Sequence, residues 1–140
     1  MERYLNYLYK LCNKASKNKE VPVAAIVYDE SSGKIISKAY NKREKSNNIL
    51  YHAEILAIIK ANKCLKSKYL SDYSLLVTLE PCEMCKTVIK EARLKNVYYL
   101  VKRDDNKLGY QKTNFEKLQN KDIWEQKFKQ ILTDFFKKRR

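Results

Sequence analysis

Between residues 74 and 101 the chain reads as strand, helix, strand, and that order restricts the fold more than any other feature. Residues 74–79 and 97–101 are short apolar runs of strand length. Pro81 suits the first turn of the helix between them, where its missing N–H costs nothing, and the helix is predicted to run to about Leu94. Two strands joined through a helix need a crossover. That makes them parallel neighbours in a sheet, with the helix laid on one face.

The rest of the chain extends the pattern. Leu5, Leu8, Leu11, Cys12 and Ala15 recur at three- and four-residue steps and predict an amphipathic helix over residues 2–16. Residues 21–28 and 34–40 are strands that pair through the turn at Ser31-Ser32-Gly33. Residues 41–50 begin polar and irregular, as a loop. Residues 52–65 have helical spacing through Ala53, Leu56, Ala57 and Ala61. Residues 103–109 are a polar loop, and from about Lys121 a helix carries Trp124, Phe128, Ile131, Leu132 and Phe135 on its apolar side.

One domain spanning residues 1–140 is expected, since this length suffices for a real core and two glycines and two prolines leave little room for linkers. No stretch reaches the length of a membrane span, and residues 1–7 lack the apolar run of a signal peptide. A cytoplasmic protein is the expectation. The net charge of +14 fits a polyanionic partner, with nucleic acid first, although an AT-rich genome would also favour lysine.

His52 is the only histidine, and it lies two residues before Glu54; Pro81-Cys82-Glu83-Met84-Cys85 follows. Zinc prefers tetrahedral nitrogen and sulfur ligands, and a catalytic site keeps one position for water. His52, Cys82 and Cys85 supply one nitrogen and two sulfurs at two predicted helix starts, where the positive helix end favours thiolates. Glu54 is placed to reach a zinc-activated water and to pass its proton on. Each half alone is weak, since a PCxxC could be half a zinc knuckle or a redox pair. A structural zinc site would need a fourth ligand, and Cys12 and Cys64 read instead as small buried hydrophobes.

The two halves in this order resemble the H-x-E and P-C-x-x-C signature of the zinc nucleobase deaminases, the cytidine-deaminase-like superfamily. The wider match is to its tRNA-specific adenosine deaminase branch. Residues 20–25 resemble E-V-P-V-G-A, Tyr40-Asn41-Lys42 resembles W-N-R, and residues 76–85 resemble Y-V-T-L-E-P-C-x-M-C. Residues 131–140 resemble L-L-S-D-F-F-x-x-R-R. The resemblance implies a three-layer α/β/α fold with a mixed sheet of four to five strands. It also implies one zinc ion per subunit on His52, Cys82 and Cys85, with Glu54 as proton shuttle. Asn41 would hold a flipped nucleoside, and Val23 and Ala53 would line its base pocket. A homodimer acting on the anticodon stem-loop of a tRNA, an arginine tRNA, follows from the same resemblance. Lys137, Lys138, Arg139 and Arg140 would touch phosphates.

The chain departs from the family at Ala24, where glycine is usual, and at Ile49-Leu50-Tyr51, where P-T-A is usual. The stretch from Gly109 to Phe135 is shorter than the family's and shows no clear fifth strand; around Asp104 and Asp105, where the family has a substrate-side acidic residue, an apparent insertion leaves the register open. The competing readings are a deaminase of a free base or nucleotide (guanine, cytidine or deoxycytidylate) and a non-catalytic zinc domain. Charge and the basic ending argue against the first, and Glu54 against the second.

Overall fold

The computed structural model describes residues 1–104 and 113–138, in two compact units, Met1–Asp105 and Asn106–Arg140. The first unit contains α1 (Glu2–Lys17), β1 (Ala24–Tyr28), β2 (Ile35–Tyr40), α2 (Ala53–Leu65), β3 (Ser74–Leu79), α3 (Glu83–Glu91) and β4 (Asn96–Val101). The second contains α4 (Asp122–Lys138). No described helix is long and apolar enough to cross a membrane.

The four described strands form one mixed sheet in the order β2-β1-β3-β4. β1 pairs antiparallel with β2 and with β3, while β3 and β4 are parallel, as the intervening helix requires. Side chains alternate along each strand, so the sheet has two apolar faces. Ala24, Ile26, Tyr28 and Leu76 pack with Tyr4 and Leu8 of α1. Ala25, Val27, Leu75 and Val77 face the other way, into a core shared with Ala57, Ile58 and Ala61 of α2 and Ile89 of α3. The first unit is therefore a three-layer α/β/α sandwich with α1 on one face and α2 and α3 on the other. β1 is buried along its whole length, whereas β4 forms an edge with Tyr98, Tyr99, Leu100 and Val101 exposed.

Local chemistry moved some predicted limits. Residues 21–23 are not strand: the Val23 N–H donates to the Val21 carbonyl at 2.8 Å around Pro22, which has no N–H for a ladder. The third helix stops at Glu91 rather than Leu94. Arg93 takes φ 60°, its N–H returns to the Lys90 carbonyl and that of Leu94 to Ile89, a Schellman cap that aims the chain into β4. Between β1 and β2 the turn does need its glycine, because Gly33 has φ 75° and an added Cβ would lie 3.2 Å from the Tyr4 hydroxyl. Cys64 is exposed and Cys12 half-buried, so neither is the buried hydrophobe expected.

Candidate active site

α2 and α3 point their N-termini at a common space. His52 is the N-cap residue of α2 (φ −70°, ψ 153°) and Cys82 that of α3 (φ −70°, ψ 171°). An N-cap side chain normally turns back to accept an N–H of its own helix. Neither does so here, and both turn toward each other. His52 Nδ1 lies 3.8 Å from Cys82 Sγ and 3.4 Å from Cys85 Sγ. The three donor atoms all fall within 4.8 Å of one another. Bond lengths of roughly 2.1 Å to nitrogen and 2.3 Å to sulfur give a tetrahedral N···S edge of about 3.6 Å, so the cluster has the size of a zinc site.

The cap that His52 does not supply comes from another element. Asn41, just past β2, accepts the Ala53 N–H on Oδ1 at 2.7 Å. That bond fixes the amide orientation and leaves the Nδ2 hydrogens for another acceptor. The loop after Asn41 is tied down from below: the buried Glu20 carboxylate accepts the N–H groups of Glu44 at 3.0 Å and Lys45 at 2.8 Å. Residue 42 closes the loop, its N–H donating to the Tyr51 carbonyl at 2.9 Å.

Glu54 sits one turn into α2 and is only 2% exposed. Burial pushes its carboxyl above the ordinary glutamate range, against the pull of its hydrogen bonds and of Arg103. Burial also pushes the Cys85 thiol up, reinforced by the negative charges of Glu54 and Cys82. Burial lowers the His52 pKa, and the cations Arg43 and Arg103 lower it further, so the ring is held neutral, the form that binds a metal. The Cys85 thiol and the Glu54 carboxyl, crowded together and buried, each resist ionisation. A divalent cation among them removes the conflict, and one nitrogen with two sulfurs fits zinc better than the hard cations.

Beside the cluster is a cavity of about 130 Å³ lined by Val21, Val23, Asn41, Arg43, His52, Glu54, Leu79 and Arg103. The structure thus brings Val23, Asn41, His52 and Glu54 to one pocket, with Cys82 and Cys85 against the histidine. Ala53 is fully buried and does not line the cavity; its N–H serves Asn41. Tyr51 does not line it either, although it is bulkier than the alanine of the family. Ala24 packs on the α1 face of the sheet, so its methyl group stays out of the pocket. Lys137 and Lys138 close α4, while Arg139, Arg140 and Asp105 lie outside the described residues. Sequence reasoning missed Arg43, Arg103, Leu79 and Val21. A usable signal existed for Leu79 and Arg103: ligands in α/β sheets bind at the carboxyl ends of parallel strands, and these residues end β3 and follow β4.

A mixed sheet flanked by helices, with His52, Cys82, Cys85 and a buried Glu54 at two helix starts, defines a deaminase of the cytidine-deaminase-like class. The model of the MafB19-like deaminase family matches residues 1–140. A tRNA-specific adenosine deaminase of Rickettsia bellii is 49% identical over 106 residues, covering 76% of this chain and 71% of that protein. One from Aquifex aeolicus is 36% identical over 148 residues, covering 99% and 95%. The chain belongs to the MafB19-like deaminase family, and within it to the tRNA-specific adenosine deaminases. Among solved structures, one from a study of A-to-I editing by tRNA:A34 deaminases superimposes with a TM-score of 0.71 at 30% identity, over 75% of each chain. A guanine deaminase of Bacillus subtilis superimposes with a TM-score of 0.74 at 26% identity, over 89% of this chain and 88% of that one.

Proposed function

We propose that this chain is a zinc-dependent hydrolase that converts adenosine to inosine at wobble position 34 of a tRNA. The observation that carries the reading is the buried Glu54 beside the His52, Cys82 and Cys85 donors, in a chain up to 49% identical to tRNA-specific adenosine deaminases. Zinc held by His52 Nδ1 and the two cysteine sulfurs would leave one position for a water and lower the pKa of that water to about 7.

The chain's own residues supply the rest. The Glu54 carboxylate accepts a proton from the attacking water and delivers it to N1 of the base. A second transfer through the same carboxyl gives the leaving amine its proton. The water oxygen becomes O6 of inosine, the C6–N bond breaks and ammonia departs. Burial suits Glu54 to this shuttle, because a carboxyl with a raised pKa holds a proton readily between the two transfers. The Asn41 Nδ2 hydrogens face the nucleoside, with Oδ1 anchored to α2. Val23 and Leu79 give the base an apolar seat that limits water. The target base must leave its stack to reach this pocket, as in other enzymes that modify bases.

The substrate would be an anticodon stem-loop, that of an arginine tRNA. The net charge of +14 supports a nucleic-acid substrate, and Lys137, Lys138, Arg139 and Arg140 would add phosphate contacts. The family model spans residues 1–140, which supports a single working domain, and we take the enzyme to be a cytoplasmic homodimer.

The guanine deaminase likeness favours a second reading, a free base or nucleotide as substrate, by the same chemistry. The test offers purified protein an arginine-tRNA stem-loop with A34, free adenosine, guanine, cytidine and deoxycytidylate. Inosine in the RNA is the expected product. Turnover of free compounds alone would overturn the tRNA reading.

A further inference from the structure

Two arginines line the wall of the small cavity, and they are not equivalent. Arg103 is committed: its Nε donates to the Glu80 carbonyl at 3.1 Å, and its backbone N–H donates to the Glu80 carboxylate at 3.1 Å. Arg43 is not. Its Nε is sealed from water and finds no hydrogen-bond partner among the described residues. A buried N–H on a charged group left unpaired is costly, and such an exception calls for a reason. Its backbone is nevertheless held in place, because the buried Glu20 clamps the next two residues of the loop. Both Glu20 oxygens are occupied by those backbone N–H groups; the Arg43 charge acts on the same carboxylate, but among the described residues the two form no salt bridge.

The cavity itself limits what Arg43 could meet. At about 130 Å³ it is well below the roughly 300–1,000 Å³ of a pocket that swallows a whole small ligand. A base can enter, while the rest of its nucleotide stays at the rim. A guanidinium in the wall can turn its N–H donors to the part that stays outside, and for a nucleotide within a polymer that part carries a phosphodiester.

We infer that Arg43 is a specificity-determining residue that grips a phosphodiester flanking the target adenosine, and so favours a nucleotide in a strand over a free base. The inference rests on the tRNA reading above. The loop clamp by Glu20 positions the grip, and turning onto a phosphate oxygen gives the Arg43 Nε the hydrogen-bond partner it lacks.

The test crosses protein with substrate. Wild type, Arg43→Gln and Arg43→Lys are assayed on stem-loops with A34 in which the phosphodiester on the 5′ or the 3′ side of the adenosine is replaced by a neutral methylphosphonate. Arg43→Gln is expected to lower kcat/KM on the all-phosphate RNA about 10- to 100-fold, the worth of a hydrogen bond to a charged group. One of the two methylphosphonates should cost the wild type a similar factor and cost Arg43→Gln nothing further. Arg43→Lys should fall between. The salt slope of RNA binding, read by fluorescence anisotropy, should drop by about 1 in Arg43→Gln.

Additive losses at both positions would overturn the inference, and they are also what a damaged fold would produce, because a misfolded variant still feels the missing phosphate charge. An Arg43→Gln enzyme that edits like wild type would overturn it too. A wild type that makes no inosine in RNA overturns the tRNA reading itself, which is a different result.

Discussion

Helices α2 and α3 open alike and end up in different chemistry. Each has an extended N-cap residue with a donor atom, no cap bond from that residue's side chain, and a glutamate in its first turn. Yet Glu54 of α2 is 2% exposed, while Glu83 of α3 lies in solvent and pairs with Lys86 at 3.6 Å. The cause is depth. Six residues of α2 are buried, but only Cys85 and Ile89 of α3 are. The deeper helix carries its carboxyl into a dry pocket and shifts its pKa; the shallower one leaves an ordinary surface acid. A helix start can therefore place a donor, but burial decides what the neighbouring acid can do.

Loss of a donor atom is the most damaging change expected at either helix start. Cys85→Ala removes the one donor that is fully buried, and His52→Ala removes the nitrogen. Either change should reduce bound zinc from about one per chain to near none, since three protein ligands are the usual minimum of a catalytic site. Deaminase activity should vanish with it. Elemental analysis of purified protein checks the metal, and retention of a full complement would refute the assigned ligand set.

The two glutamates give the next largest effect and the sharpest contrast. Glu54→Gln should lower kcat by about 10²- to 10⁴-fold with zinc retained. Glu83→Gln should leave kcat nearly unchanged, because an exposed ion pair contributes little. Equal losses in the two variants would mean that depth does not separate them.

The smallest effect concerns how α2 is capped. Asn41→Ala should destabilise the fold by about 1–2 kcal/mol, the usual worth of a helix cap, as measured by urea unfolding. Asn41→Asp keeps the acceptor for the Ala53 N–H and should recover most of that stability. It lacks the amide hydrogens, so its activity should stay low. Recovery of both would assign Asn41 to the fold alone.

Much of this was legible in the chain because the signals are local. A proline before a helix, apolar runs of strand length and a histidine two residues from a glutamate need only near neighbours to be read. Departures from expectation were local as well, but lay in the backbone. Arg93 adopting positive φ shortened α3, a conformation the sequence favours only weakly without glycine. The Tyr51 and Ala24 differences from the family looked close to the chemistry in sequence. In space Ala24 packs on the opposite face of the sheet and Tyr51 offers the loop its carbonyl.

The candidate donors, the acid beside them and the order of strands and helices follow from residue type and short-range spacing alone. Packing in three dimensions is what makes Asn41 cap α2 from twelve residues away, Glu20 clamp the loop at Glu44 and Lys45, and Arg43 and Arg103 line the pocket. Those hydrogen bonds join residues 12 to 25 apart, and the two arginines follow β2 and β4, at opposite edges of the sheet. Local sequence cannot encode such contacts, because they form only when the sheet has brought its strand ends together, and their burial comes from that packing.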